Sequence, residues 1–140
     1  MKDFEYYLNE GSVKKQTKDK EFAISLKKDA VKRAEKVLSL ELKEFSKIIF
    51  ENIYEAIREM LDAILALEGY KSYSHEASIA YLNKFKVEDS AILELDDFRY
   101  KRNSSKYYGK EINEEEAKEI VKFYKKYSGR ILQIIEQLCK

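Results

Sequence analysis

From Phe45 to Leu67 apolar residues recur at the three-and-four spacing of a helical face: Phe45, Ile48, Ile49, Ile53, Ala56, Ile57, Met60, Leu61, Ile64, Leu65 and Leu67. No other stretch of the chain is patterned so strongly. A helix over 43–68 would be about 40 Å long at a rise of about 1.5 Å per residue, and Gly69 stands where its C-cap should be. Phe50 and Tyr54 widen the apolar surface beyond one stripe. Such a helix must lie at the centre of a bundle or meet a partner chain.

The rest of the chain is compatible with long helices. It has no proline, only four glycines (Gly11, Gly69, Gly109 and Gly129) and a charged fraction of 38%, so helices have few breakers and a ready solvated face. Residues 1–16 read as a brief helical turn and a loosely ordered arm. A second amphipathic pattern, Phe22, Ala23, Leu26, Ala30, Ala34, Val37 and Leu38, predicts a helix from about Lys18 to Leu40 with a lysine-rich outer face. A turn is expected at 41–44 and a polar loop at 70–74. Ser74 then caps a short helix from His75 to about Phe85, and another helix follows over 88–108, closed by Gly109. Asn113 and Glu116 spell a capping box for the last helix, with Ser128 and Gly129 as a candidate kink. Its stripe is read as Ala117, Ile120, Val121, Tyr124, Tyr127, Ile131, Leu132, Ile135 and Leu138. The expected fold is a single all-α domain over 1–140, an antiparallel up-and-down helical bundle of four main helices plus one shorter one.

Charge and cysteine usage narrow the function classes. Lys and Arg total 27 against 26 Asp and Glu, a net charge of +1, so any polyanion binding must come from local clustering. The lone Cys139 offers no internal disulfide and no zinc spacing. The first ten residues are too polar for a signal peptide and no apolar run approaches a membrane span, which points to the cytoplasm. There is no glycine-rich phosphate loop and no nucleophile with a histidine to activate it other than His75. No cofactor or metal is expected. His75, at a helix start, reads as a packed structural residue.

The densest basic and aromatic cluster is Asp96–Gly109. Between Phe98 and Lys110 come Arg99, Lys101, Arg102, Lys106 and Lys110, with Tyr100, Tyr107 and Tyr108 interleaved. Ala91, Leu95 and Phe98 line one helical face, and Arg102 and Ser105 continue it. Arg102 therefore points into a buried or interfacial stripe, where a guanidinium needs a carboxylate or a phosphate. Asp96 and Asp97 are local candidates, and glutamates of other helices distant ones. Arg99, Asn103 and Lys106 or Tyr107 form a second line. A straight helix sets Arg102 and Tyr107 about 140° apart, so they meet only if the helix ends or bends near Ser104 and Ser105. Cations beside exposed rings are ingredients of single-stranded nucleic-acid contact.

In its order of elements the chain resembles the prokaryotic HEPN domain family. The resemblance is carried by AIREMLDAILALEG in the long helix, the Ser74–His75 helix start and the stretch from Arg99 to Gly109, read as R-x-x-R-N-x-x-x-Y-Y-G. It implies a homodimer, often encoded beside a minimal nucleotidyltransferase in a two-component, toxin–antitoxin-like system, and in active members a metal-independent RNA cleavage by an arginine and a histidine four to six residues later. Arg102 and Asn103 match the start of that motif, and Tyr107 stands at the histidine's place. A phenol, titrating at about 10, is a poor base near neutrality. Where members carry a modifiable tyrosine, this chain has Gly109, with Tyr108 one place earlier. The resemblance thus implies a catalytically degenerate module that binds RNA, a nucleotide or a nucleotidyltransferase through Arg99, Arg102, Asn103, Lys106, Tyr107 and Tyr108. The alternatives are an endoribonuclease that uses Arg102 and a purely structural dimerisation domain.

Overall fold

The long apolar helix is central in the computed structural model, which describes residues 1–140. In chain order the elements are α1 (Phe4–Glu10), β1 (Val13–Lys15), α2 (Lys20–Leu38), α3 (Ser46–Glu68), β2 (Tyr70–Ser72), α4 (His75–Ala80) with a 3-10 turn (Tyr81–Phe85), α5 (Asp89–Tyr108) and α6 (Glu114–Leu138). Fourteen of the 23 residues of α3 are buried, more than a single stripe can hide. α2 and α6 make the most extensive contacts with it. Ala23, Ala30 and Ala34 of α2 are wholly buried, and side chains that small let the two backbones approach closely. The apolar surplus of α3 is therefore covered within one chain, and needs no second copy to hide it.

Local signals act as the chemistry requires. Gly69 ends α3 at φ +84°, a left-handed conformation that side chains resist. The Asn113–Glu116 capping box is formed in both directions at the start of α6. Ser74 caps α4 by accepting from the Ala77 N–H at 3.2 Å.

Four expectations are corrected. The N-terminal segment is not a loose arm: Asp3 caps α1, Gly11 closes it, and β1 pairs antiparallel with β2, Val13 opposite Ser72 and Lys15 opposite Tyr70. The polar loop expected at 70–74 supplies that partner strand, so the expected all-α bundle, mostly helical, carries one small two-stranded sheet. Buried Tyr7 and Val13 pack there with Ala77 and Ala80, which ties the segment down. The helix from His75 tightens to 3-10 geometry at Tyr81, before Lys86 turns to φ +60°. Finally, α6 runs unbroken through Ser128 and Gly129, because Phe123 and Tyr124 before them and Ile131, Ile134 and Ile135 after them anchor one continuous face. No helix is long and apolar enough to cross a membrane.

Candidate functional site

On α5 the apolar line Ala91, Leu95 and Phe98 is buried, and Arg102 and Ser105 continue it inward as the spacing predicts. Arg102 is only 8% exposed. Neither local carboxylate serves it: Asp96 accepts from Arg99 at 2.7 Å and Asp97 lies 3.1 Å from Lys101. Its charged neighbour is Glu55 of α3, with Nη2 to Oε2 at 3.8 Å, beyond hydrogen-bonding range. Glu55 is engaged more closely by Arg58, one turn along α3, at 3.1 Å. A buried guanidinium left with one distant, shared carboxylate has donors to spare. One turn further on α5, the buried Ser105 Oγ also has no hydrogen-bond partner.

Two more helices close on the same point. The Arg102 guanidinium carbon lies 5.8 Å from the ring centroid of Tyr54, a buried α3 residue. The imidazole of His75, the first residue of α4, sits 6.3 Å from that ring. Burial, followed by repulsion from Arg58 and Arg102, holds His75 down to about 4, with Glu55 pulling the other way. It is consequently a neutral imidazole near pH 7. Burial also holds the Tyr54 hydroxyl protonated well above the usual phenol range, against the nearby arginines. Arg99 borders the cluster through Glu76 at 3.6 Å, and Glu76 accepts from the Tyr7 hydroxyl at 3.1 Å.

The structure divides the site residues named from sequence. Arg99 and Arg102 join the interhelical cluster, and Asn103 is half-buried. Lys106, Tyr107 and Tyr108 are exposed at the far end of α5, with Lys106 Nζ 5.7 Å from the Tyr107 ring centroid. α5 stays helical through Ser104 and Ser105 to Tyr108, so the bend that would bring Tyr107 to Arg102 is absent. The histidine beside the same Tyr54 ring is His75, which the sequence suggested as structural. Glu55 and Arg58 were not singled out, and Tyr54 and Ser105 were read only as parts of helical faces. Their one sequence signal is that Glu55 and Arg58 flank the apolar face of α3.

No cluster of three or more His, Cys, Asp or Glu side chains is placed to hold a metal ion. Two surface depressions lie away from Arg102. One, of about 560 Å³, runs between the N-terminal residues, Tyr81 and Leu93. The other, of about 590 Å³, lies between Lys43–Lys47 and Gly109–Glu114. Neither gathers the unpartnered polar groups found around Tyr54. Compared with known protein families, curated proteins and solved structures, the chain matches none.

Proposed function

We propose that the chain is a HEPN-like helical module, its four long helices arranged up and down in an antiparallel bundle, that binds the phosphate of RNA or a nucleotide at Arg102. The observation that supports this is the buried guanidinium, 8% exposed and without a hydrogen-bond acceptor. A phosphate would accept from guanidinium donors that no protein group holds within hydrogen-bonding range. Lys106, Tyr107 and Tyr108 extend the surface along α5 as charge and stacking groups for a longer strand. In this reading the module acts in a two-component system, with a minimal nucleotidyltransferase as partner, and forms a homodimer. Leu93 and Tyr100, exposed and seven residues apart on α5, offer the dimer a face. The test is fluorescence anisotropy with labelled single-stranded RNA. Binding that weakens about tenfold or more in Arg102→Ala supports the reading. Absence of binding by the folded protein refutes it.

Two further readings each have one supporting observation. Metal-independent RNA cleavage gains from the placing of the lone imidazole, His75, beside the same tyrosine ring as Arg102. RNA incubated in chelator decides it: cleavage lost in His75→Gln and retained in Tyr107→Phe supports it, and intact RNA excludes it. A structural role for Arg102 gains from the Glu55 contact at 3.8 Å. It requires Arg102→Ala to lower stability while leaving RNA affinity unchanged.

A further inference from the structure

We propose that Arg58, Arg102 and His75 form a seat for a terminal phosphate monoester, the phosphorylated end of a nucleotide or RNA, and that Glu55 occupies this seat when the ligand is absent. The inference rests on the phosphate-binding reading above and narrows it. Arg58 and Arg102 approach one carboxylate from two helices, at 3.1 and 3.8 Å, with opposite oxygens of Glu55 facing them. A carboxylate bridging two guanidinium groups is the arrangement a phosphoryl group would adopt with the same donors. The carboxylate belongs to a partly exposed side chain, 27% accessible, and can swing out. Arg102 cannot, since its side chain is 10% accessible and packed beside Tyr54.

Charge and access select the ligand class. With Glu55 displaced, two guanidinium charges face the seat, matching the two charges of a monoester near neutral pH. Arg99 adds little, because Asp96 and Glu76 already flank it. His75 sits beside the Tyr54 ring, where Arg58, Arg102 and Arg99 repel its proton and Glu55 favours it. An incoming dianion would offset the repulsion from those arginines and let the imidazole take a proton. Arg102 has little surface open to solvent and packs beside the buried Tyr54 ring. A terminal phosphate can present its free oxygens to so confined a guanidinium, whereas an internal phosphodiester carries chain on both sides.

The experiment compares three versions of one internally labelled RNA 12-mer, ending in a 5′-phosphate, a 3′-phosphate or hydroxyls only. AMP and adenosine are titrated in parallel by calorimetry. The expected result is binding about tenfold or more tighter for a phosphorylated end than for the hydroxyl-ended strand. AMP should bind where adenosine does not if free nucleotide is the source of the phosphate; preference confined to the phosphorylated strands assigns it to an RNA end. Glu55→Gln, which removes the competing carboxylate, should bind the phosphorylated ligand more tightly, and Arg58→Gln, a change at a partly exposed residue, more weakly. Calorimetry at pH 6 in buffers of different ionisation heat should show wild type taking up more protons than His75→Gln. Equal affinity for the three strands overturns the inference and leaves the phosphate-binding reading standing. Weaker binding by Glu55→Gln also overturns the inference. Failure of every ligand to bind overturns both.

Discussion

At the residue scale the central fact is a histidine kept neutral by its surroundings. The folded protein holds His75 at about 4, mainly through burial and then through Arg58 and Arg102. The unfolded chain protonates the same group near the ordinary value of about 6.5. Between these values the unfolded state binds more protons, so the stability associated with neutral His75 is present above about 6.5 and is lost as pH falls towards 4. NMR titration of the single imidazole should give an apparent pKa well below 6, and Arg58→Gln should move it upwards. A wild-type value at or above 6.5 would remove the basis of this description. Gly69 is the second decisive residue. Its φ is +84°, and a Cβ there would come within 3.0 Å of the Gln16 carbonyl oxygen. Gly69→Ala should therefore destabilise by about 1 kcal/mol or more, measured by urea unfolding. Gly11 also has positive φ but no atom near a built Cβ, so Gly11→Ala should cost less.

At the scale of elements, α3 joins the core to the site. Its apolar positions hold α2 and α6, while Tyr54, Glu55 and Arg58, on consecutive turns, face the arginine–histidine cluster. Ile53→Ala, at a fully buried position, should cost about 2–5 kcal/mol in chemical unfolding. Asn113→Ala should cost about 1 kcal/mol, because it removes the acceptor for the Glu116 N–H at 2.8 Å and dismantles the capping box. Helix boundaries and caps were legible in sequence because they depend on residues a few positions apart: Gly69, Ser74, Gly109 and Asn113 each act where they were expected. The β1–β2 pair was not legible. Each strand is three residues long, too short for an alternation to be read, and the partners lie far apart in the chain.

Across the whole molecule, groups of opposite linkage sign share the same pH range. Burial, and next the Asp29 carboxylate, push Glu59 up to about 7, against the Arg33 guanidinium that donates to it at 3.0 Å. Burial likewise raises Asp62 to about 6, opposed by Arg58 and Lys71. For these carboxyls the folded state binds more protons, so their contribution to stability is lost as pH rises, through about 4.5–7 for Glu59 and about 4–6 for Asp62. His75 acts in the other direction. Unfolding curves measured from pH 4 to pH 8 should separate the two: His75→Gln should make the protein relatively more stable at low pH, and Glu59→Gln relatively more stable at high pH. If neither substitution alters the profile, these environments are not retained in solution.

The amino-acid sequence by itself determined the helices, most of their caps and the inward direction of Arg102, because period and capping are properties of neighbouring residues. Tertiary structure decided what Arg102 meets. The straight course of α5 keeps Tyr107 on the outside, and the packing of α3, α4 and α5 around Tyr54 brings Glu55 towards the guanidinium and His75 to the same ring instead. No local spacing encodes that meeting, since it depends on which helical faces bury one another.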